Sequence, residues 1–299
     1  MLKIKDLNKK FNQVHAVNNL NIKVNNGEIY GLLGTNGAGK TTTFRMILNL
    51  FEPTSGDIYW DNQKIDDNFN DLVGYLPEER SLLTKLTVLE QVKYFGMLKG
   101  MKTIDIIKQL DYWLERFNII DYKRKKIKEL SKGNQQKIQF IVAVLHNPKI
   151  LILDEPFTGL DPINLEQLKD AIMFLKEKGT SIIFSSHRME HIESLCDSVT
   201  ILAKGKTVLS GNISEIKASY PIRYVTIKGN VTVEDLETLS HVTKVIPCDD
   251  EFNVYVSSLE EVYQLLDGLN QSHQITKFMI HEPTLHDIFI EKVGTTYES

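Results

Sequence analysis

Three observations on this sequence predict an α/β fold whose parallel sheet carries a phosphate-binding loop. Residues 34–42 read Gly-Thr-Asn-Gly-Ala-Gly-Lys-Thr-Thr, which puts Gly34, Gly39, Lys40 and Thr41 in the pattern G-x-x-x-x-G-K-[ST]. The run Glu28-Ile-Tyr-Gly-Leu-Leu-Gly34 before it suits a buried strand, and apolar residues at helical spacing follow from Thr42 to Leu50. Two further apolar runs, Ile150-Leu-Ile-Leu153 and Ser181-Ile-Ile-Phe184, end in Asp154-Glu155 and in Ser185-Ser-His187. Ligands of parallel α/β sheets bind beyond the carboxyl ends of the strands, so these three strand ends are expected to share one edge.

The first strands come ahead of the loop. Residues 2–24 alternate apolar and polar, as in Leu20-Asn-Ile22-Lys-Val24, and read as half-buried antiparallel strands with Phe11 in the turn between them. An aromatic at that place either stacks on a nucleotide base or packs on its own hairpin. In the loop, Gly34, Gly37 and Gly39 keep side chains from obstructing backbone N–H groups that converge on phosphate oxygens. The following helix aims its N-terminal N–H groups and positive dipole end at the same anion. In such a loop the lysine, here Lys40, reaches the β- and γ-phosphates, and the hydroxyl of Thr41 ligates Mg²⁺.

Glu52-Pro-Thr-Ser-Gly56 reads as a turn, 57–60 as a strand, and Val73-Gly-Tyr75-Leu as another strand ending at Pro77. From about 78 to 147 the pattern is helical. Thr87 and Glu90 form a capping box, and Ile104, Ile107, Leu110, Leu114 and Phe117 are expected to make a buried stripe. Leu130-Ser-Lys-Gly-Asn-Gln-Gln-Lys137 opens the next helix, where Ser131 and Gly133 leave N–H groups that favour an anion, or serve as a simple N-cap. A carboxylate pair such as Asp154-Glu155 at the end of a buried strand is costly unless it meets a cation, a partner or water, and Mg²⁺ on a second strand's Asp is the usual complement of a phosphate loop. Asp161 and Pro162 are an N-cap and N1 pair for a helix that stops at Gly179. Past a boundary at residues 217–221 the expected order is strand 222–228, helix 232–240, strand 242–247, strand 252–256, helix 259–269 and strand 274–280, a small ferredoxin-like α+β domain in which Ser258 and Glu261 form a capping box.

Composition excludes several classes. A chain of 299 residues has room for two domains, and its net charge of −4 gives no support to a nucleic-acid surface. The run Lys123-Arg124-Lys125-Lys126 reads as a solvated face. No stretch approaches 18 consecutive apolar residues and the first residues lack the apolar core of a signal peptide, so the expectation is a cytosolic chain that crosses no membrane itself. Cys196 and Cys248 lack metal spacing and are expected to be buried free thiols, while His281 and His286 read as packing or surface residues.

Taken in order, these pieces resemble the ATP-binding cassette (ABC) ATPases over roughly residues 1–215, about two thirds of the chain. Phe11 matches the family's adenine-stacking aromatic, residues 34–42 its Walker A loop, and 130–136 its signature motif. Residues 150–155 resemble Walker B with the catalytic glutamate after it, Gly159-Leu-Asp161 the D-loop, and His187 the switch histidine. The resemblance implies a P-loop NTPase with a RecA-like core, an antiparallel β subdomain and an α-helical subdomain at about 78–147, followed by a C-terminal accessory domain at 221–299. It further implies that Gly34, Thr35, Asn36, Gly37, Ala38, Gly39, Lys40, Thr41 and Thr42 hold ATP, that Thr41 and Asp154 hold Mg²⁺, and that Glu155, His187 and Lys40 are catalytic. Because the chain has one Walker A and one signature, it also implies a head-to-tail homodimer in which Ser131 and Gly133 of one copy cap the nucleotide held by the other.

Two motifs depart from the family pattern. Glu78 stands where the family usually has a glutamine that senses the γ-phosphate, so either Glu78 approaches Mg²⁺ directly or the coupling contact is altered. Lys132 and Asn134 replace Gly and Gln of the common Leu-Ser-Gly-Gly-Gln, a variant that looks like that of bacterial exporters whose permease is a separate chain. The implied function is an ATP-hydrolysing subunit that powers export through such a permease at the cytoplasmic face of the membrane, without nucleic acid. The alternative is a soluble cassette ATPase of translation, repair or cofactor assembly. Residues 283–289 resemble the C-terminal element of many bacterial exporter ATPases, and a dimer-stabilising or regulatory role is the working hypothesis for that domain.

Overall fold

The computed structural model describes residues 1–79, 81–220, 224–239 and 241–293, and the chain separates into two compact units between Gly211 and Asn212. In the first unit, β1 (Leu2–Phe11) and β2 (Val14–Val24) pair antiparallel, as their alternation predicts, and bury Leu2, Ile4, Leu7, Leu20, Ile22 and Val24. With β4 (Ser55–Trp60) and β5 (Gln63–Lys64) they form a sheet in the order β2-β1-β4-β5. The register shifts between Lys5 and Asn8, and there Gly56 has φ +86° and a Cβ would lie 2.3 Å from the Asp6 carbonyl oxygen, so only glycine fits.

The second sheet contains β3 (Ile29–Leu33), β6 (Val73–Leu76), β7 (Ile150–Leu153), β8 (Ser181–Ser186), β9 (Ser198–Ala203) and β10 (Lys206–Asn212) in the order β10-β9-β3-β8-β7-β6. The pairs β3–β8, β3–β9, β7–β8 and β6–β7 are parallel. Every residue of β3, β7 and β8 is buried, which is why their sequences run continuously apolar instead of alternating. Register fixes the site: Leu33 lies opposite Ser186, and Leu153 opposite Phe184, so the loop after β3 and the tails of β7 and β8 emerge side by side.

Helix α1 (Lys40–Ile47) follows the loop, and α5 (Pro162–Glu177) and α6 (Met189–Leu195) complete the core, with Asp161 capping α5 through the Asn164 N–H. Between β6 and β7 lie α2 (Val88–Leu98), α3 (Thr103–Arg116) and α4 (Lys132–Val144) with short 3₁₀ turns. The Thr87–Glu90 capping box is present in full. The buried stripe of α3 differs from the expected one: Ile106 is buried with Leu110, Trp113 and Leu114, whereas Ile104 is 74% exposed. The isoleucines at 104 and 107 match the helical period as well as Ile106 does, and packing against Gly96 of α2 selects Ile106.

The second unit starts with α7 (Ile213–Ala218) and runs through β11 (Tyr224–Gly229), α8 (Val233–Glu237), β12 (Lys244–Cys248), β13 (Glu251–Tyr255), α9 (Leu259–Ser272), β14 (Ile275–His281) and α10 (Leu285–Val293). Its antiparallel sheet has the order β12-β13-β11-β14, the ferredoxin-like arrangement, and packs Val225, Ile227 and Val254 against Leu236, Val262, Leu265 and Leu269. Residues 221–223 of the expected boundary and first strand, and 240 of the expected helix, lie outside the described residues; that helix ends at Glu237. Ser258 caps α9, but Glu261 reaches back to the Ser257 N–H instead of closing the expected box on Ser258. Cys196 is largely covered, and burial pushes its thiol well above the ordinary range, while Cys248 is exposed, contrary to expectation, because it ends the edge strand β12. His281 is a packing residue, stacked on Tyr224 at 4.4 Å and bonded to the Thr226 hydroxyl at 2.8 Å.

Candidate active site

The loop after β3 turns back into α1 around Lys40, whose Nζ donates to the Gly34 carbonyl oxygen at 2.6 Å. The three glycines have different reasons for being glycine. A Cβ on Gly34 would lie 2.6 Å from the Leu202 oxygen, and one on Gly39, at φ +106°, would lie 2.4 Å from the Ala16 oxygen, so both are excluded by neighbouring backbone. Gly37 has φ +80° with open space around it, and is the one of the three that leaves room for a ligand. Residues 35–42 line a cavity of about 250 Å³, closed on its other side by Glu78, Asp154 and Glu155.

Asp154 and Glu155 leave the end of β7 buried and are held by β8. The Ser185 hydroxyl donates to Asp154 Oδ1 at 2.6 Å and accepts the Glu155 N–H at 2.9 Å. The Thr41 hydroxyl donates to Asp154 Oδ2 at 2.9 Å, which sets a hydroxyl and a carboxylate together at the start of α1, a donor pair that fits a hard divalent cation. Glu155 sits at φ +50°, a conformation that costs a non-glycine residue energy and that turns its carboxylate toward the cavity. His187 Nδ1 donates to Glu155 Oε2 at 2.9 Å, with the Thr158 hydroxyl at 3.5 Å from the same oxygen. Glu155 Oε1 is buried without a hydrogen-bond donor, 3.4 Å from Lys40 Nζ. Two carboxylates would not stay buried together without these donors. Nearby Tyr75 is pushed up to about 12, first by burial and then by the charge of Asp154, so its phenol stays neutral.

Lys40, Thr41, Asp154, Glu155 and His187 are thus brought together, and Glu78 lines the same cavity, exposed. Phe11 does not line it; it is 41% exposed and packs edge-on against Phe51 with ring centroids 5.7 Å apart. Ser131 and Gly133 do not line it either. Ser131 caps α4 through the Asn134 N–H, and Gly133 is buried where a Cβ would lie 2.4 Å from Asn164 Nδ2, so the start of α4 is seated on the start of α5. Sequence reasoning missed Ser185 and two glutamines of α4: Gln136 donates to the Pro156 oxygen at 3.1 Å, and Gln139 to the oxygens of Pro77 and Glu79. The one available signal was polarity at positions otherwise in apolar runs.

Residues 17–158 match the family model described as ABC transporter, and residues 211–293 match the ATP-binding protein DrrA1-3-like C-terminal domain. Over 301 aligned residues, spanning all of both chains, the sequence is 48% identical to the uncharacterized ABC transporter ATP-binding protein YhaQ of Bacillus subtilis (strain 168). The chain belongs to the ABC transporter ATP-binding proteins. Among solved structures, that of an ATP binding subunit of an ABC transporter matches at 31% identity with a TM-score of 0.68, over 73% of this chain and 92% of that one. The dimeric structure of MJ0796, a bacterial ABC transporter cassette, matches at 25% identity with a TM-score of 0.65, over 71% of this chain and 99% of that one. This ABC subunit is therefore a nucleotide-binding ATPase that powers a membrane transporter, which disfavours the soluble alternative. Among the described residues no helix of it is long and apolar enough to cross a membrane.

Proposed function

We propose that the chain is the energy-coupling subunit of an exporter, works as a head-to-tail homodimer on a separate permease at the cytoplasmic face of the membrane, and hydrolyses ATP with the residues assembled above. The observation that carries this reading is that Ser131 and Gly133, at the start of α4, are not part of their own chain's phosphate cavity. A second copy supplies what the first lacks, the capped helix start whose N–H groups meet the γ-phosphate. The similarity to MJ0796, a cassette whose solved structure is dimeric, supports it.

Backbone N–H groups of residues 35–42 take the phosphate chain, and Lys40 exchanges its contact with the Gly34 oxygen for the β- and γ-phosphates. Phe11 presents its exposed ring to the adenine. Mg²⁺, which the Thr41 hydroxyl and the Asp154 carboxylate would hold, supplies charge neutralisation on the phosphates. Glu155 Oε1, buried and without a donor, accepts a hydrogen bond from the attacking water, while His187 steadies the other carboxylate oxygen and faces the γ-phosphate. The water oxygen bonds to the γ-phosphorus as its bond to the β-phosphate oxygen breaks, leaving ADP and phosphate. Without the γ-phosphate the two copies lose the contact that joins them, and the dimer opens.

Support for a permease contact comes from a groove of about 560 Å³ beside α2 and α4, lined by Leu50, Tyr75, Phe95, Leu98 and Val142, with Leu50 and Leu98 largely exposed. It borders Pro77, one residue ahead of Glu78, and Gln139 of the signature helix binds the carbonyls on both sides of Glu78. Motion at α4 therefore has a bonded route to the Glu78 segment. The test is small-angle scattering of the Glu155→Gln protein with its permease in saturating Mg-ATP, with hydrolysis followed in parallel. Turnover is expected to drop by about 10²–10⁴-fold, the range for a lost catalytic base, and the cassettes to stay paired. A persistent monomer with ATP bound, or wild-type turnover, refutes the reading.

A further inference from the structure

We propose that a second cleft, at the amino-terminal ends of β7 and β8 and thus at the opposite edge of the sheet from the nucleotide loop, binds a small planar anion: an aromatic ring carrying a phosphate or carboxylate. The cleft holds about 460 Å³, within the range of small-molecule sites. It lies between α3 and the segments that enter β7 and β8. Tyr112, Trp113 and Phe174 form an aromatic wall, with the Phe174 ring 6.2 Å from Tyr112 and 6.1 Å from Trp113. Trp113 is 2% exposed and fixed by its neighbours Phe117 and Phe140, while Tyr112 is 42% exposed.

The charged residues lining this cleft are all cationic: Lys108, Lys149 and Lys178, each exposed. None has a carboxylate within 4.0 Å among the described residues, although lysines close by are paired, Lys123 with Asp111 at 2.6 Å and Lys176 with Asp197 at 2.6 Å. The carboxyl ends of α4 and α5 come close to the cleft and contribute about half a negative charge each, so three ammonium groups leave it net positive. Lys178 Nζ already sits 5.4 Å from the Phe174 ring centroid, which places a cation directly at the aromatic wall. A bare anion would use the lysines and leave the wall wet, and a neutral ring would use the wall and leave three charges unanswered. The Phe174 ring already carries the Arg116 guanidinium 4.1 Å from its centroid, so a planar aryl anion satisfies both by laying its ring on Tyr112, beside Phe174, with its charge toward the lysines.

The probe is phenyl phosphate, titrated into the full chain with the nucleotide loop saturated by Mg-ADP, using a Trp60→Phe background in which Trp113 is the single remaining tryptophan and reports locally. Inorganic phosphate and benzyl alcohol serve as the half-ligands. Saturable change in Trp113 emission with phenyl phosphate is expected, with each half-ligand at least ten-fold weaker. The double substitution Lys149→Glu and Lys178→Glu is expected to weaken phenyl phosphate at least ten-fold and to retain wild-type ATPase activity, which shows that the fold is intact. If that double variant loses ATPase activity, Lys108→Gln replaces it, with at least a three-fold loss expected. No response up to about 10 mM, below the affinity of even a millimolar site, overturns the proposal. So does equal binding of either half-ligand, or binding that is indifferent to the lysine substitutions.

Discussion

At the residue scale, the site is a chain of donors that makes two buried carboxylates tolerable. Ser185 holds both Asp154 and the Glu155 backbone, Thr41 holds Asp154, and His187 and Lys40 face Glu155. In the proposed mechanism Lys40 takes the β- and γ-phosphates, so Lys40→Ala is expected to abolish nucleotide binding; titration with a fluorescent ATP analogue checks it, and wild-type affinity would remove Lys40 from the site. His146, which lines the apolar groove, behaves differently. Burial, reinforced by the charge of Lys99, lowers its imidazole from 6.5 to about 4, and Nε2 donates to the Val73 oxygen at 3.1 Å. The unfolded chain takes up a proton on this ring as the pH drops below about 6.5, whereas the folded protein resists until about 4. Its contribution to stability is therefore complete above the unfolded value, declines between the two, and is gone below the folded one. The melting temperature should fall across that window, and His146→Gln should flatten the fall. Identical pH slopes for the two proteins would show that His146 is not responsible.

At the element scale, caps and periodicity placed α2, α3 and α4 but left the rotation of α3 open. Isoleucines at 104, 106 and 107 all lie near an apolar stripe, and the close approach of Gly96 on α2 is what draws Ile106 inward. Ile106→Ala is expected to cost about 2–5 kcal/mol, as for a buried aliphatic side chain. Ile104→Ala, on the solvent side, should stay within about 0.5 kcal/mol of wild type. Urea unfolding of the two variants decides which isoleucine is in the core. The signature helix α4 shows the same division of information: its cap at Ser131 is legible as a motif, but its bonds through Gln136 and Gln139 to the Pro156 and Pro77 carbonyls join segments 20 and more residues apart.

At the scale of the whole molecule, an ABC cassette is followed by a ferredoxin-like unit with its own core. The match of residues 211–293 to a DrrA1-3-like C-terminal domain makes that unit a family feature. Deleting residues 221–299 is expected to alter assembly of the transporter complex or its ATPase rate while leaving ATP binding in place. Size-exclusion of the complex together with steady-state hydrolysis measures this, and no change in either would dismiss a regulatory or dimer-stabilising role.

The sequence by itself determined the phosphate loop, the main strands and helices as far as His187, the acidic and histidine strand ends and the family, because each is written in short runs whose residue types the local chemistry demands. The β-α-β-β-α-β order of the C-terminal unit was legible for the same reason, through period and turns. Only the tertiary structure decided that Ser185 bridges two carboxylates, that Gly34 and Gly39 yield to neighbouring backbone while Gly37 stays open, that Cys248 is exposed, and that three lysines from separate segments line an aromatic cleft. Those facts depend on which distant groups come within a few ångströms of each other, and contacts at long sequence separation leave no periodic trace along the chain.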